Sequence, residues 1–410
     1  MVDNRPVFLR YYSSRPGNHP ARRKRDMDFD LTEEQKGIQK AVEEFAKGEF
    51  DKEVILGLER NHQYPFAILK KACQLGFIGI HYPEACGGQG YGILENALIV
   101  EAFCRRDSGV GVCLSIANFS SEIILRFGNE TQKKKYLVPI TMGEAISAGA
   151  FTEPDHGSDI TEVRTTAVKD GNGYLINGVK TFISNGAIAN FVIVLCQSDP
   201  QAKPGYRGMS TLIVEKGSKG FEVSDLGEKM GIKMTSTTEM SFDQVRVPEE
   251  NLIGNLNRGF YQVIEFFDES RVMVAAQALG IAQGAFDRAI DYAKKREQFG
   301  QKIAEFQVTQ HKLADMATMI EAARCLVYKA GWNFDQGRIE PKWTSMAKMY
   351  AGRVAVEVAQ EAIQIHGGYG YMLEYEVERF YRDARITEIY EGTREIQKNT
   401  IAASVIGKRG

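Results

Sequence analysis

In "ITEIYEGTREIQ" (residues 386–397) a carboxylate, Glu391, stands between an aromatic residue and a glycine, with Thr393 close behind. Two chemistries suit an acid placed there. It punctuates a helix, with Thr393 as cap and Glu395 favoured by the positive end of the dipole. Or it is a base aimed at a bound ligand, with Gly392 letting the backbone approach closely. Glu388, one turn earlier, reads as a surface or ion-pair residue. A second group, "AFTEPDHGSD" (150–159), gathers the hydroxyls of Thr152 and Ser158 with Glu153, Asp155 and Asp159. Taken alone it is a structured turn or a ligand loop. "FISN" (182–185) closes an expected strand, whose alternation puts Phe182 and Ser184 on one face and Ile183 on the other. Such a ring and hydroxyl would suit a flat ligand and its polar edge, or would simply end the strand. Arg296, just before Phe299 and Gly300, suits a diphosphate bidentately or a helix-terminal ion pair. Asp268 and Arg271, in "FFDESR", fall at the expected start of a long helix, where Asp268 also reads as a cap.

The elements that must position these groups can be read from hydrophobic spacing. From Asp30 to about Ala148 the text is helical. Leu31, Ile38, Val42 and Phe45 share one face, and Thr32 can cap the first helix. "HYPEACGGQGYG" interrupts as a glycine-rich loop without the spacing of a dinucleotide fingerprint. Near Gly149 the period shortens. "TTAVKDGNGYLINGVKTFISN" alternates about a Gly-Asn-Gly turn as a hairpin does, and "FVIVLC", "STLIVEK" and "TTEMSFDQVRV" add strands. After Asn251 steps of three and four return. They run through Ala275, Leu279, Ala282 and Phe286, then Leu313, Met316, Ile320 and Ala323, then Ala347, Ala351, Val354 and Val358. The order is helices, strands, helices, not the alternation of a parallel sheet. The expected fold is α+β, mainly α. It has an N-terminal helical domain (27–148), a middle β-domain (149–250) and a C-terminal four-helix bundle (251–410).

A net charge of −2 provides no broad basic field for nucleic acid, and no apolar run reaches membrane-spanning length. The six cysteines include no CxxC pair and suit buried thiols in a reducing compartment. That means the cytoplasm if the chain is bacterial, or the mitochondrial matrix if it is eukaryotic. The histidines cluster neither with cysteines nor with each other, so no metal is expected. Residues 1–26, rich in Arg, Ser and Pro, read as an extension, an early start codon or a transit peptide.

"AFTEPDHGSD", "FIS", "YAKKREQFGQ", "QIHGGYGY" and "RFYRDARITEIYEGTREIQ" occur in that order and at those separations. Together they resemble the acyl-CoA dehydrogenase family over residues 27–408. The resemblance implies FAD as cofactor. It implies that the backbone near Phe151 and the Thr152 hydroxyl meet the pyrimidine edge. Phe182 and Ile183 would lie in the isoalloxazine segment, with Ser184 bonding near N5. The family more often has Trp and Thr at 182 and 184. Here the hydroxyl is retained and the ring is smaller, so flavin binding should survive and electron exit past that edge is the step affected. Arg296, Gln298, Gln307, Gln364, Gly367 and Gly368 would reach the FAD of a neighbouring subunit. Thr393 and Glu395, at the last helix start, would present amides to FAD. Ser158, Asp268, Arg271 and Gly392 would hold the acyl-CoA. A homotetramer built as a dimer of dimers follows, with an electron-transferring flavoprotein as electron acceptor.

In that setting Glu391 takes the α-proton and flavin N5 the β-hydride, leaving the 2-enoyl-CoA. A free glutamate has a pKa of about 4.3, far too low for an unactivated C–H. Burial raises it, and hydrogen bonds to the thioester oxygen, worth roughly 3–4 kcal/mol each, stabilise the enolate. Some family members carry the base on the earlier helix. The corresponding residue here is Ser270, which cannot serve, and the adjacent Glu269 would point elsewhere. "VCLSIANFSS" (112–121), the segment expected to line the acyl pocket, has no cation, which favours a neutral short, branched or cyclic acyl group. The alternatives are an enoyl-CoA reductase, an acyl-CoA oxidase and, outside catalysis, a silent assembly protein.

Overall fold

A computed structural model describes residues 30–407, so the readings of the first 26 residues lie outside it. Helix α1 (Glu33–Glu49) starts where the sequence places it. The Thr32 side chain accepts from the Gln35 amide and Gln35 returns a bond to the Thr32 amide, sealing two otherwise orphaned donors. Ile38, Val42 and Phe45 are buried in the core shared with α2 (Lys52–Arg60), α3 (Phe66–Gln74), α4 (Ile93–Arg106), α5 (Ser108–Ser115) and α6 (Ser121–Phe127).

The strands of the middle region are β1 (Ser147–Ala150), β2 (Thr166–Asp170), β3 (Gly173–Ser184), β4 (Phe191–Gln197), β5 (Met209–Glu215), β6 (Phe221–Asp225) and β7 (Thr237–Pro248). Among the described residues they form one sheet. β4 pairs antiparallel with β5 on one side and parallel with β1, then β2, on the other. β3 joins β2 to β7, and β6 closes the edge. The β2–β3 hairpin turns between Asp170 and Gly173, at the predicted Gly-Asn-Gly signal. The sequence reading did not include β1 or β6. β1 is "SAGA", four buried small residues without alternation, and β6 is an exposed edge.

The C-terminal region comprises α7 (Gly259–Lys295), α8 (Gln307–Asp335), α9 (Pro341–His366), α10 (Val377–Ala384) and α11 (Arg394–Ile406). α7 is central. At Gly280 and Gly284 it approaches α4 so closely that an added Cβ would lie 2.3 Å from the Glu101 and Arg105 carbonyl oxygens. One expectation is corrected here. α7 begins at Gly259, where an added Cβ would stand 2.4 Å from the Ser210 carbonyl carbon of β5. Asp268 and Arg271 are therefore buried in the helix interior, and Asp268 is not a cap. Contact with the sheet, not local spacing, sets that start.

A buried polar node ties the regions together. Arg379 of α10 pairs with Asp107 ahead of α5, and Asp383 accepts from Ser108 Oγ at 2.6 Å and the Ile232 amide at 2.6 Å. Among the described residues no helix is long and apolar enough to cross a membrane.

Candidate active site

Glu391 lies between α10 and α11 in a left-handed conformation (φ 57°), followed by Gly392 at φ 94°. A non-glycine residue adopts such a φ only when its surroundings enforce it. Here they do. Gln397 Nε2, buried on α11, donates to the Glu391 carbonyl at 3.0 Å and the Gly392 carbonyl at 2.9 Å. Lys348 Nζ, from α9, donates to the Gly392 carbonyl at 2.7 Å. Thr393 caps α11 by accepting from the Ile396 amide at 3.4 Å. The helix boundary is thus made by Thr393, and Glu391 is released from capping.

The Glu391 carboxylate accepts from Ser270 Oγ, on α7, at 2.5 Å. Burial raises its pKa, opposed by that hydrogen bond and by the charges of Arg271 and Lys348. Burial also acts on the cations. It lowers Arg271 against the pull of Asp268 and Glu391, and it pushes Lys348 down to about 7. Arg271 Nη1 meets Asp268 Oδ1 at 3.3 Å, while its Nε has no hydrogen-bond partner among the described residues. Burial is also the main cause that raises Asp268. The carboxylate of Glu391, its pKa raised by burial, is a group able to take a proton from a bound, polarised substrate.

Glu269 turns away, as its helical position predicts. It sits 3.3 Å from His81 Nε2 and pairs with Arg126. Glu122 completes this second buried cluster, with its pKa pushed up to about 7 by burial and then by Glu269. The sequence reading missed the cluster, because its members come from three distant segments with no shared motif. Glu388 is an ion-pair residue as expected, held by Arg385 and Arg394, although it is buried.

The 150–159 loop reaches the same neighbourhood. The Phe151 ring is buried against Phe266 and Phe267 of α7, at centroid distances of 6.1 and 5.7 Å. Its backbone is held by a pair the sequence did not reveal. Lys180, wholly buried on β3, donates to the Phe151 carbonyl at 3.0 Å and to Glu153 Oε1 at 2.9 Å. Glu153 also accepts the Arg164 amide at 2.7 Å and the Thr165 amide at 2.8 Å. Burial would raise this acid, but Lys180 and the amides outweigh it and hold it low. The Thr152 carbonyl accepts the Thr181 amide at 2.9 Å, fastening the loop to β3. Ser158 is exposed in the same loop.

At the end of β3 a bulge between Lys180 and Ile183 interrupts the alternation, and Phe182 takes φ 58°. Ile183 is buried, whereas Phe182 is 69% exposed and Ser184 is half-buried. The two sides are kept apart as predicted, but by a bulge instead of plain alternation. An exposed aromatic face, with the Thr152 and Ser184 hydroxyls free of side-chain bonds among the described residues, fits a flat heterocycle with polar edges.

The remaining predicted cofactor residues gather at the other end of the bundle. Tyr292 near the end of α7 stacks on His366 at the end of α9, with centroids 4.3 Å apart, and the Arg296 guanidinium stands 5.6 Å from the Tyr369 ring centre. Gln298, Gln307, Gln364, Gly367 and Gly368 are exposed around them. Gly367 has φ 61°, and an added Cβ at either glycine meets nothing within 4 Å, leaving an open backbone face. From Ser270 to Lys295 α7 runs about 37 Å at the ordinary helical rise. Within one chain the two sets are each assembled but are not brought together.

Comparison with known proteins agrees with this layout. The acyl-CoA dehydrogenase N-terminal domain matches residues 32–144, the middle domain 148–245 and the C-terminal domain 257–406. The chain is 43% identical over 378 residues to an acyl-CoA dehydrogenase of Bacillus subtilis, covering 92% of this chain and 99% of that one. It is 42% identical to the acryloyl-CoA reductase (NADH) of Anaerotignum propionicum, covering 94% and 97%. The solved structure of butyryl-CoA dehydrogenase from Megasphaera elsdenii superposes with a TM-score of 0.87 at 38% identity, covering 93% and 100%. The chain therefore belongs to the acyl-CoA dehydrogenase family of flavoprotein oxidoreductases.

Proposed function

We propose that Glu391 removes the α-proton of an acyl-CoA thioester while the β-hydrogen leaves as hydride, forming the 2-enoyl-CoA. FAD, when bound, supplies the hydride acceptor. The observation that carries the reading is the Glu391 carboxylate, raised in pKa by burial and hydrogen-bonded to Ser270 on the helix whose Phe267 meets Phe151. Phe151, Thr152, Phe182, Ile183 and Ser184 would hold the isoalloxazine, with Thr393 and Glu395 at the α11 start close by. Ser158, Asp268, Arg271 and Gly392 would orient the thioester. Arg296, Gln298, Gln307, Gln364, Gly367 and Gly368 of a neighbouring copy would complete the cofactor site, a reading that the separation along α7 supports. An electron-transferring flavoprotein would accept the electrons at the exposed Phe182 face. Anaerobic mixing of the flavin-loaded protein with a panel of acyl-CoA esters tests this reading. Rapid bleaching by at least one ester supports it, and a flavin that no ester bleaches, or a purified protein without flavin, overturns it.

The acyl group on this reading is neutral and short. Gln277, buried on α7, donates to Ser115 Oγ at 2.8 Å and accepts from the hydroxyl of Tyr390, the residue next to the base. This polar crossbar beside Glu391 opposes a long apolar tail. Gln277→Ala is expected to shift the kcat/KM ratio of octanoyl-CoA to butyryl-CoA upward by about 10-fold or more, measured with an artificial electron acceptor. An unchanged ratio would remove Gln277 from the pocket.

A second reading, reduction of an enoyl-CoA by the same residues in reverse, is favoured by the likeness to the acryloyl-CoA reductase. Reoxidation of the reduced protein by enoyl-CoA, compared with its reduction by the saturated ester, decides the direction.

A further inference from the structure

The base segment is gripped from behind by a residue with no assigned part in the chemistry. We propose that Lys348 is a positioning residue of the reaction: through the Gly392 carbonyl it fixes the left-handed Glu391–Gly392 pair and thereby the reach of the carboxylate. The inference rests on the reading of Glu391 as the base.

Lys348 is 1% exposed, on a buried face of α9 that it shares with Thr344, Ser345, Ala351, Gly352 and Ala355. An ammonium buried so completely is strongly unfavourable unless its donors are met. A structural lysine in such a place ordinarily pairs with a carboxylate, as Lys180 does with Glu153. Among the described residues Lys348 makes no ion pair within 4.0 Å, and its hydrogen bond is spent on the Gly392 carbonyl at 2.7 Å. Gln397 adds its two bonds to the Glu391 and Gly392 carbonyls. Both carbonyls are therefore pinned toward α9 and α11. Because a trans peptide sets C=O and N–H on opposite sides, the Gly392 and Thr393 amides must face the other way. The grip is thus specific to the backbone that carries the base, and it holds a conformation that Glu391 would not adopt alone.

Lys348 also acts through its charge. The charged groups facing it are Glu391, Glu388 and Glu395 from the C-terminal segment and Arg271 from α7. A positive Lys348 favours the carboxylate form of Glu391, so losing it by mutation or by titration moves the base upward in pKa. Burial brings Lys348 down to about 7.

The test uses Lys348→Met, which keeps most of the apolar stem and removes donor and charge, and Lys348→Gln, which keeps a neutral donor. Flavin reduction by saturating acyl-CoA is followed across pH in the flavin-loaded protein, together with acyl-CoA affinity, flavin content and thermal melting. For Lys348→Met the limiting rate should fall about 10²-fold, with affinity within about 3-fold of the unaltered protein. Its rise with pH should move to higher pH. Lys348→Gln should regain part of the rate and keep the pH displacement. An unaltered rate and pH profile in Lys348→Met overturns the proposal. So does a loss confined to melting or flavin content, and if Met abolishes flavin binding, an unaltered pH profile in Lys348→Gln does the same. Glu391→Gln, run in parallel, separates the two claims. If it is bleached as fast as the unaltered protein the base reading fails, whereas an inert Glu391→Gln beside a normal Lys348→Met refutes only the role of Lys348.

Discussion

Glu391→Gln, with flavin still bound, should lower the rate of flavin bleaching by saturating acyl-CoA by about 10²–10⁴-fold, the range associated with losing a positioned general base. The amide keeps the size of the side chain and can still meet Ser270, so acyl-CoA affinity should change little. The pH profile supplies an independent check. Burial raises the Glu391 pKa, so the acid stays protonated, and unable to accept the α-proton, to a higher pH than a free glutamate would. In the unaltered protein the rate should therefore climb with pH to a plateau, with a midpoint above the ordinary carboxylate value. In Glu391→Gln that limb should vanish. Rapid bleaching of Glu391→Gln, or a flat profile in the unaltered protein, would assign the proton to another group.

The second large effect concerns the flavin loop. In Lys180→Met the Glu153 carboxylate is left buried without its cation, a situation that typically costs about 3–5 kcal/mol. The Arg164 and Thr165 amides still bond Glu153, so a value near the lower end is expected. The same substitution frees the Phe151 carbonyl, so the flavin-to-protein ratio should drop along with the urea midpoint. Lys180→Met combined with Glu153→Gln should recover part of the lost stability, because no buried charge is then orphaned. Unfolding of the single variant at the unaltered urea concentration would show that the pair does not hold the loop.

These contacts mark where a linear reading stops. The α1 stripe, the β2–β3 turn and the Thr393 cap were legible, because each is written in residues at most a few places apart. The order of "AFTEPDHGSD", "FIS" and "IYEGT" made the site legible as a resemblance. It did not show what meets the Glu391–Gly392 backbone at positive φ, whose carbonyls accept from Lys348 on α9 and Gln397 on α11. Lys180 and Glu153 belong to different elements, so no periodicity links them. The start of α7 escapes local pattern because Gly259 is fixed by the β5 backbone and not by its own neighbours. The His81, Glu122 and Glu269 cluster exists only once α6 and α7 lie side by side. What sequence conveys here is local pattern; what it withholds is partners chosen by packing.

The length of α7 bears on genetics. If each catalytic centre draws Glu391 from one chain and Arg296 from another, a defect in either residue is confined to different centres of the same pair. A Glu391→Gln chain and an Arg296→Ala chain, each inert alone, would then repair one another when assembled together. One centre would inherit both lesions, and the other would inherit neither. Half the sites of each mixed pair would work, so two inert alleles pairing at random would yield about a quarter of the normal site number.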